Sequence, residues 1–201
     1  MTLSETARRA WRELLDDPEI DPRVKELLRR EYPEDCPTFA VFVEHTAAVA
    51  GLATRIAEWA GANVRFVREA AWLHDLGIKY TRAPGIDCHG EEPYMRHGEI
   101  GSELCLQAGL PEHSEVCRRH VGTGLTAAEI EAGNLPLLPQ DVLCRNLEEK
   151  VVCYADQFFS KSSPQPLSLE EVRRRVARHG QQPLRRFEEM HQLLGGFAEA
   201  Q

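Results

Sequence analysis

An all-α fold, a bundle of mostly short helices, is what three features of the sequence predict. Apolar residues recur three and four positions apart along most of the chain, the period of a helix that buries one face. Capping residues and Gly or Pro terminators bracket those stretches. Alternating apolar and polar runs, which mark half-buried strands, are almost missing, and there is no internal repeat or low-complexity tract. The 201 residues suit one domain with a full core.

Residues 2–16 read as the first helix, with Leu3, Ala7, Ala10, Trp11, Leu14 and Leu15 on one side. Pro18 and Pro22 punctuate it, and a second helix over about 22–31 buries Val24, Leu27 and Leu28. Neither carries visible chemistry; both read as a packing layer. Thr38 is placed to cap a long helix to about Ala60, with Val41, Phe42, His45, Ala48, Val49, Leu52 and Ile56 as its stripe and Gly61 as its stop. Asn63 opens the next helix, expected to carry His74 and Asp75 within it and to fade near Tyr80. Residues 81–95 lack periodicity, and so long a connection is expected to be a functional loop over the site.

A helix over about 96–108 shows His97, Ile100, Gly101 and Leu104 on one face and stops at Gly109. Pro111 suits the first turn of the following helix, whose face includes Val116, Cys117, His120 and Val121. Thr126 and Glu129 have the spacing of a capping box for a short helix. Asn146 to about Ser160 reads as the last core helix, with Asp156 among Leu147, Val151, Val152, Ala155, Phe158 and Phe159. A loop with two prolines (Ser162 to Leu167) follows, then a basic helix capped by Ser168 and a final helix over about 183–194.

A hydrophobic fraction of 42% and a charged fraction of 28% are those of a soluble globular protein. No apolar run approaches the roughly 20 residues of a membrane span, and Met1 to Asp17 has no signal-peptide core. The expectation is a cytoplasmic protein with no membrane partner. A net charge of -8 argues against a nonspecific grip on nucleic acid; it leaves room for a small anion in a locally positive pocket. The six cysteines form no CxxC pair and read as reduced thiols, mostly buried.

Six residues that can ligate metal fall on apolar helical stretches: His45, His74, Asp75, His97, His120 and Asp156. One histidine on an apolar face is ordinarily a hydrogen-bonded core residue, and a His-Asp dipeptide is common by chance. The joint pattern weighs more, because each of the six would otherwise need its own reason for burial, and an aspartate in an apolar stripe is the hardest to dismiss. Imidazole and carboxylate suit iron, manganese, nickel, cobalt or zinc, and helical bundles build such centres from inward-facing side chains. Elsewhere, His179 reads as a helix-end residue, His113 as solvated, His191 as a core residue beside Phe187, and His89 as either a loop residue or a group reaching into the site.

The order His45, then His74-Asp75-Leu76-Gly77, then a distant Asp156 resembles the HD-domain superfamily of metal-dependent phosphohydrolases, and the dipeptide motif is similar to that of the HDIG subgroup. His97 in RHGEIG and His120 in RHVGTG look like the extra pair of the dinuclear members, and LEEKVVCYADQFFSK (147–161) looks like the last metal-ligand helix. The resemblance covers about 38–161, leaving 1–37 and 162–201 as accessory helices of one HD-type domain. It implies two divalent ions (Fe, Mn, Ni, Co or Zn). His45, His74, Asp75 and Asp156 would hold the first, and Asp75 would bridge to a second on His97 and His120. A water between the ions would attack a nucleotide or other small phosphate ester. His74 and Asp75 are thus the expected catalytic pair. Lys161, Arg119, Thr123, His89 and Lys79 are the candidates to contact substrate. Ile78 stands where many members carry a lysine, with Lys79 one place later. Two other readings share the ligand set: a di-iron oxygenase, and a noncatalytic metal or nucleotide sensor. The sequence does not fix the oligomeric state; a homodimer is one option.

Overall fold

The computed structural model describes residues 2–163 and 165–199. Pro164, one of the two prolines read into the loop before the basic helix, lies outside the described residues. Ten α-helices occur among the described residues: α1 (Glu5–Asp16), α2 (Pro22–Glu31), α3 (Phe39–Ala60), α4 (Val64–Leu73), α5 (His97–Gln107), α6 (Pro111–Arg119), α7 (Ala127–Ala132), α8 (Leu147–Asp156), α9 (Leu169–Ala177) and α10 (Gln181–Leu194). Two short strands, β1 (Arg82–Ala83) and β2 (Cys88–His89), pair antiparallel with Arg82 opposite His89.

Local signals account for most helix starts. Ser4, Asp21, Asn63 and Asn146 each accept a hydrogen bond from a first-turn backbone N–H. Both reciprocal capping boxes close, Thr126 with Glu129 and Ser168 with Glu171. Gly61 ends α3 in the left-handed conformation at φ 70°. Thr38 departs from expectation: it precedes α3 but makes no cap, and its hydroxyl donates to Asp87 O at 2.7 Å, pinning the 81–95 segment to the bundle. That segment is not structureless; it holds β1, β2 and short 3-10 turns.

α3 is the central rod, packed against α4, α8 and α1, while α5 pairs with α6 and α9 with α10. By length and composition α3 is the kind of helix that could cross a membrane, which the sequence reading did not anticipate, but more than half of its apolar window is buried by the other helices. One contiguous core takes in Trp11, Leu14, Phe42, Val49, Leu73, Val151, Val152 and Phe187. The N-terminal layer does more than pack. The Tyr32 ring stacks on Phe42, and its hydroxyl donates to Leu76 O at 3.0 Å, directly beside the His74-Asp75 pair.

The greatest departure from the expected elements lies at that pair. α4 stops at Leu73, and His74 to Gly77 form a tight turn closed by Leu76 N–H to Leu73 O (2.9 Å) and Ile78 N–H to Asp75 O (3.0 Å). Gly77 shows the cause. A Cβ there would lie 2.2 Å from His97 O and 2.8 Å from Gly101 N, so this backbone runs directly against the start of α5.

Candidate metal centre

The six sequence-selected donors converge. His45 projects from the second turn of α3; the others sit at element ends, against the expectation that they lie within helical faces. His74 and Asp75 follow α4, His97 is the first residue of α5, His120 follows α6, and Asp156 is the last residue of α8. The end position has a use. His74, His97 and His120 each donate from Nδ1 to the carbonyl three residues back, Ala71 (2.6 Å), Tyr94 (2.6 Å) and Cys117 (2.7 Å). That bond fixes the tautomer and aims the Nε2 lone pair at the centre, the arrangement that orients histidine ligands in metal sites.

The Asp75 carboxylate divides the cluster. Its Oδ2 lies 3.1 Å from His45 Nε2 and 3.3 Å from His74 Nε2, and both imidazoles also face Asp156 Oδ1 at 2.9 and 3.5 Å. Its Oδ1 lies 3.4 Å from His97 Nε2 and 3.5 Å from His120 Nε2. Asp75 is fully buried, and what faces its oxygens is imidazole and ammonium rather than backbone or hydroxyl donors, while His45 Nδ1 lacks a hydrogen-bond partner among the described residues. A buried carboxylate without hydrogen bonds is costly unless a cation answers it. Here the Lys161 ammonium does so, 2.6 Å from Oδ2. The donor set fits divalent metal: His45, His74 and Asp156 gather on one side of the Asp75 carboxylate, and His97 and His120 face its other oxygen.

The charges are tightly linked. Burial opposes ionisation of Asp75 and Asp156, but Lys161 and the imidazoles outweigh it and hold both carboxyls well below their usual range. Burial also opposes a charged His74, yet Asp75 and Asp156 push its pKa up to about 10. His97 goes the other way, down to about 3, chiefly through burial, with the nearby Lys161 ammonium acting in the same sense.

A cavity of about 1070 Å³ opens onto this centre, walled by His97, His120, Asp156, Lys161 and Thr123 together with Ile86, Tyr94, Val121, Leu125 and Phe159. Of the expected substrate contacts, Lys161 and Thr123 are therefore on the cavity wall, Thr123 donating to Pro183 O at 3.1 Å. The other three need correction. Arg119 is buried between Glu149 (2.7 Å) and Glu115, turned into an ion-pair network. Lys79 pairs with Glu31 at 3.0 Å beside the Tyr32 and Tyr80 rings. His89 is exposed on β2 and is not part of the cavity wall. His113 is also corrected: it is buried, with Nε2 3.0 Å from Glu69. His191 stacks on Phe187 and shares a hydrogen bond with Tyr154, as a core residue would. The six cysteines are free thiols. Sequence reasoning missed Tyr94, whose ring packs against His97 at a tilt of 32°, and Arg175 and His179, which border the cavity from the C-terminal segment. Only the RHG context beside Tyr94 hinted at the first.

The family profile described as HD domain matches residues 42–160. An uncharacterized protein of Methanocaldococcus jannaschii is 36% identical over 123 residues, which is 58% of this chain and 65% of that protein. A tRNA (cytidine(56)-2'-O)-methyltransferase of Thermoplasma volcanium is 28% identical over 131 residues, 65% of this chain but 34% of the relative. The chain thus spans from a third to two-thirds of the length of these curated relatives. Among solved structures, the HD domain of the L. monocytogenes phosphodiesterase PgpH superposes with a TM-score of 0.48 at 14% identity, covering 89% of this chain and 98% of that one.

Proposed function

The chain belongs to the HD-domain family, and on that premise we propose that it is a metal-dependent phosphohydrolase that cleaves a nucleotide or other small phosphate ester. The observation that supports this most is the division of labour at Asp75, whose two oxygens face separate pairs of imidazoles. A pair of divalent ions, when bound, supplies Lewis acidity and a water acidic enough to act as nucleophile at neutral pH. His45, His74, Asp156 and Asp75 would hold one ion; Asp75, His97 and His120 the other. The chain's own contribution is placement. The carbonyls of Ala71, Tyr94 and Cys117 keep three imidazoles from rotating, and burial of His45, His74 and Asp75 leaves the cavity side as the open face of the centre. The Lys161 ammonium, on the cavity wall, is positioned to meet an oxygen of an incoming phosphate and to offset the charge that develops there.

The test is anaerobic turnover. Metal-stripped protein reloaded with Mn, Fe, Co, Ni, Zn or Mg is assayed for phosphate release from a panel of nucleotides and phosphate esters. Release without oxygen is expected with at least one ion. No release under any condition would overturn the reading, and turnover only in the presence of oxygen would make the protein a di-iron oxygenase.

A further inference from the structure

Part of the cavity wall comes from the C-terminal segment, where Arg175, Val176, His179 and Pro183 border the cavity. Arg175 is unusual for this chain. Every other buried or half-buried arginine among the described residues faces a carboxylate. Arg175 is half-buried and has no ion pair among the described residues. Its hydrogen bonds go from Nη2 alone to the neutral backbone oxygen and side-chain Oε1 of Gln157. Burial lowers its pKa from the usual value, while the charge of Asp156 acts on it in the opposite sense, so the guanidinium lies within electrostatic reach of the metal cradle. Of the two carboxylates on the cavity wall, Asp156 belongs to that cradle and Glu129 is already paired with Arg186 at 2.9 Å. The cavity therefore offers an uncompensated cation at a second point, with the apolar side chains of Val121, Leu125, Phe159 and Val176 also on its walls.

The geometry points to Arg175 as the seat of a second anionic group of the substrate, so that the protein prefers compounds bearing two phosphate groups, a bisphosphate or a phosphoanhydride, over simple monophosphates. Guanidinium is the side chain suited to this, since its fork matches phosphate oxygens in a way an ammonium does not. The inference rests on reading the cradle as a phosphate-processing metal centre. Residues 169–194 would then set specificity even though they lie beyond the stretch that matches the family.

The test uses binding, so that it does not depend on turnover. Calorimetry on Mn-loaded protein compares methylphosphonate with methylene-, ethylene- and propylene-bridged bisphosphonates, none of which is hydrolysed. The wild type is expected to bind at least one bisphosphonate more tightly than methylphosphonate. In Arg175→Gln that preference falls by about tenfold, the factor one charge-assisted contact supplies, and Arg175→Lys recovers part of it. A wild type with no such preference would overturn the inference. So would an Arg175→Gln variant that weakens both classes of probe equally, because the residue would then act only through its bond to Gln157. If no ester is ever hydrolysed but the preference is present and lost in Arg175→Gln, the phosphohydrolase reading fails and the second anion site stands.

Discussion

Replacing Asp75 with alanine removes an oxygen from both halves of the cradle in one step. Bound metal should fall to none while the far-ultraviolet circular dichroism keeps its helical form, because the side chain makes no hydrogen bond that holds a helix. A variant that retained both ions would show that the carboxylate is not shared. Protons give a second test. With its pKa pushed up to about 10, His74 is charged in the metal-free protein at neutral pH. An unfolded histidine titrates near 6.5. The charged form therefore stabilises the metal-free fold fully below about pH 6.5, and that contribution is lost as pH rises through about 10. An entering ion must displace the same proton, so apparent metal affinity should rise with pH over this window, and calorimetry in buffers of different ionisation enthalpy should record proton release near pH 7.5. Metal uptake without proton release would contradict the His74 assignment.

Elements explain how the donors are brought together. Gly77 lets the turn after α4 touch the first turn of α5, and alanine there would drive a Cβ to 2.2 Å from His97 O. Gly77→Ala should cost about 1–3 kcal/mol in urea unfolding, the usual penalty of overpacking, and should lower metal occupancy on the His97 side first. Tyr32→Phe removes the hydrogen bond to Leu76 O; a loss of about 1 kcal/mol is expected, and an unchanged midpoint would mean that α2 does not brace the turn. The cap-defined elements were readable from sequence because a cap is a contact within three residues: Thr126–Glu129 closed as its spacing implied, and Ser168, expected as a cap, also forms a reciprocal box with Glu171. The ends of α4 and α8 were not readable. His74 and Asp156 lie in continuous apolar periodicity, and α4 stops where another element's backbone comes too close. The substrate roles expected of Arg119 and Lys79 failed for a similar reason. Their partners Glu149 and Glu31 lie 30 and 48 residues away in the chain, and a basic residue beside a motif does not announce such a pairing.

Across the whole molecule, the six donors were legible because apolar stripes containing histidine and aspartate need a common explanation, and the fold brings all six to one point. The cavity wall beyond them was not legible: Arg175 lies on a helix read only as basic and His179 was read as a helix-end residue, and nothing local in the sequence puts either on the cavity wall. A ligand that binds only the folded form adds stability by mass action, about 2.7 kcal/mol at a free concentration one hundred times its dissociation constant. Saturating Mn should therefore raise the melting temperature of the wild type and leave that of Asp75→Ala unmoved. The most direct measurement is anomalous diffraction from metal-loaded crystals, collected at the absorption edge of the bound ion. Two peaks are predicted, one between His45, His74 and Asp156 and one beside His97 and His120, with the Asp75 carboxylate between them. A single peak, or none, with the His97 and His120 imidazoles left free, would contradict the account.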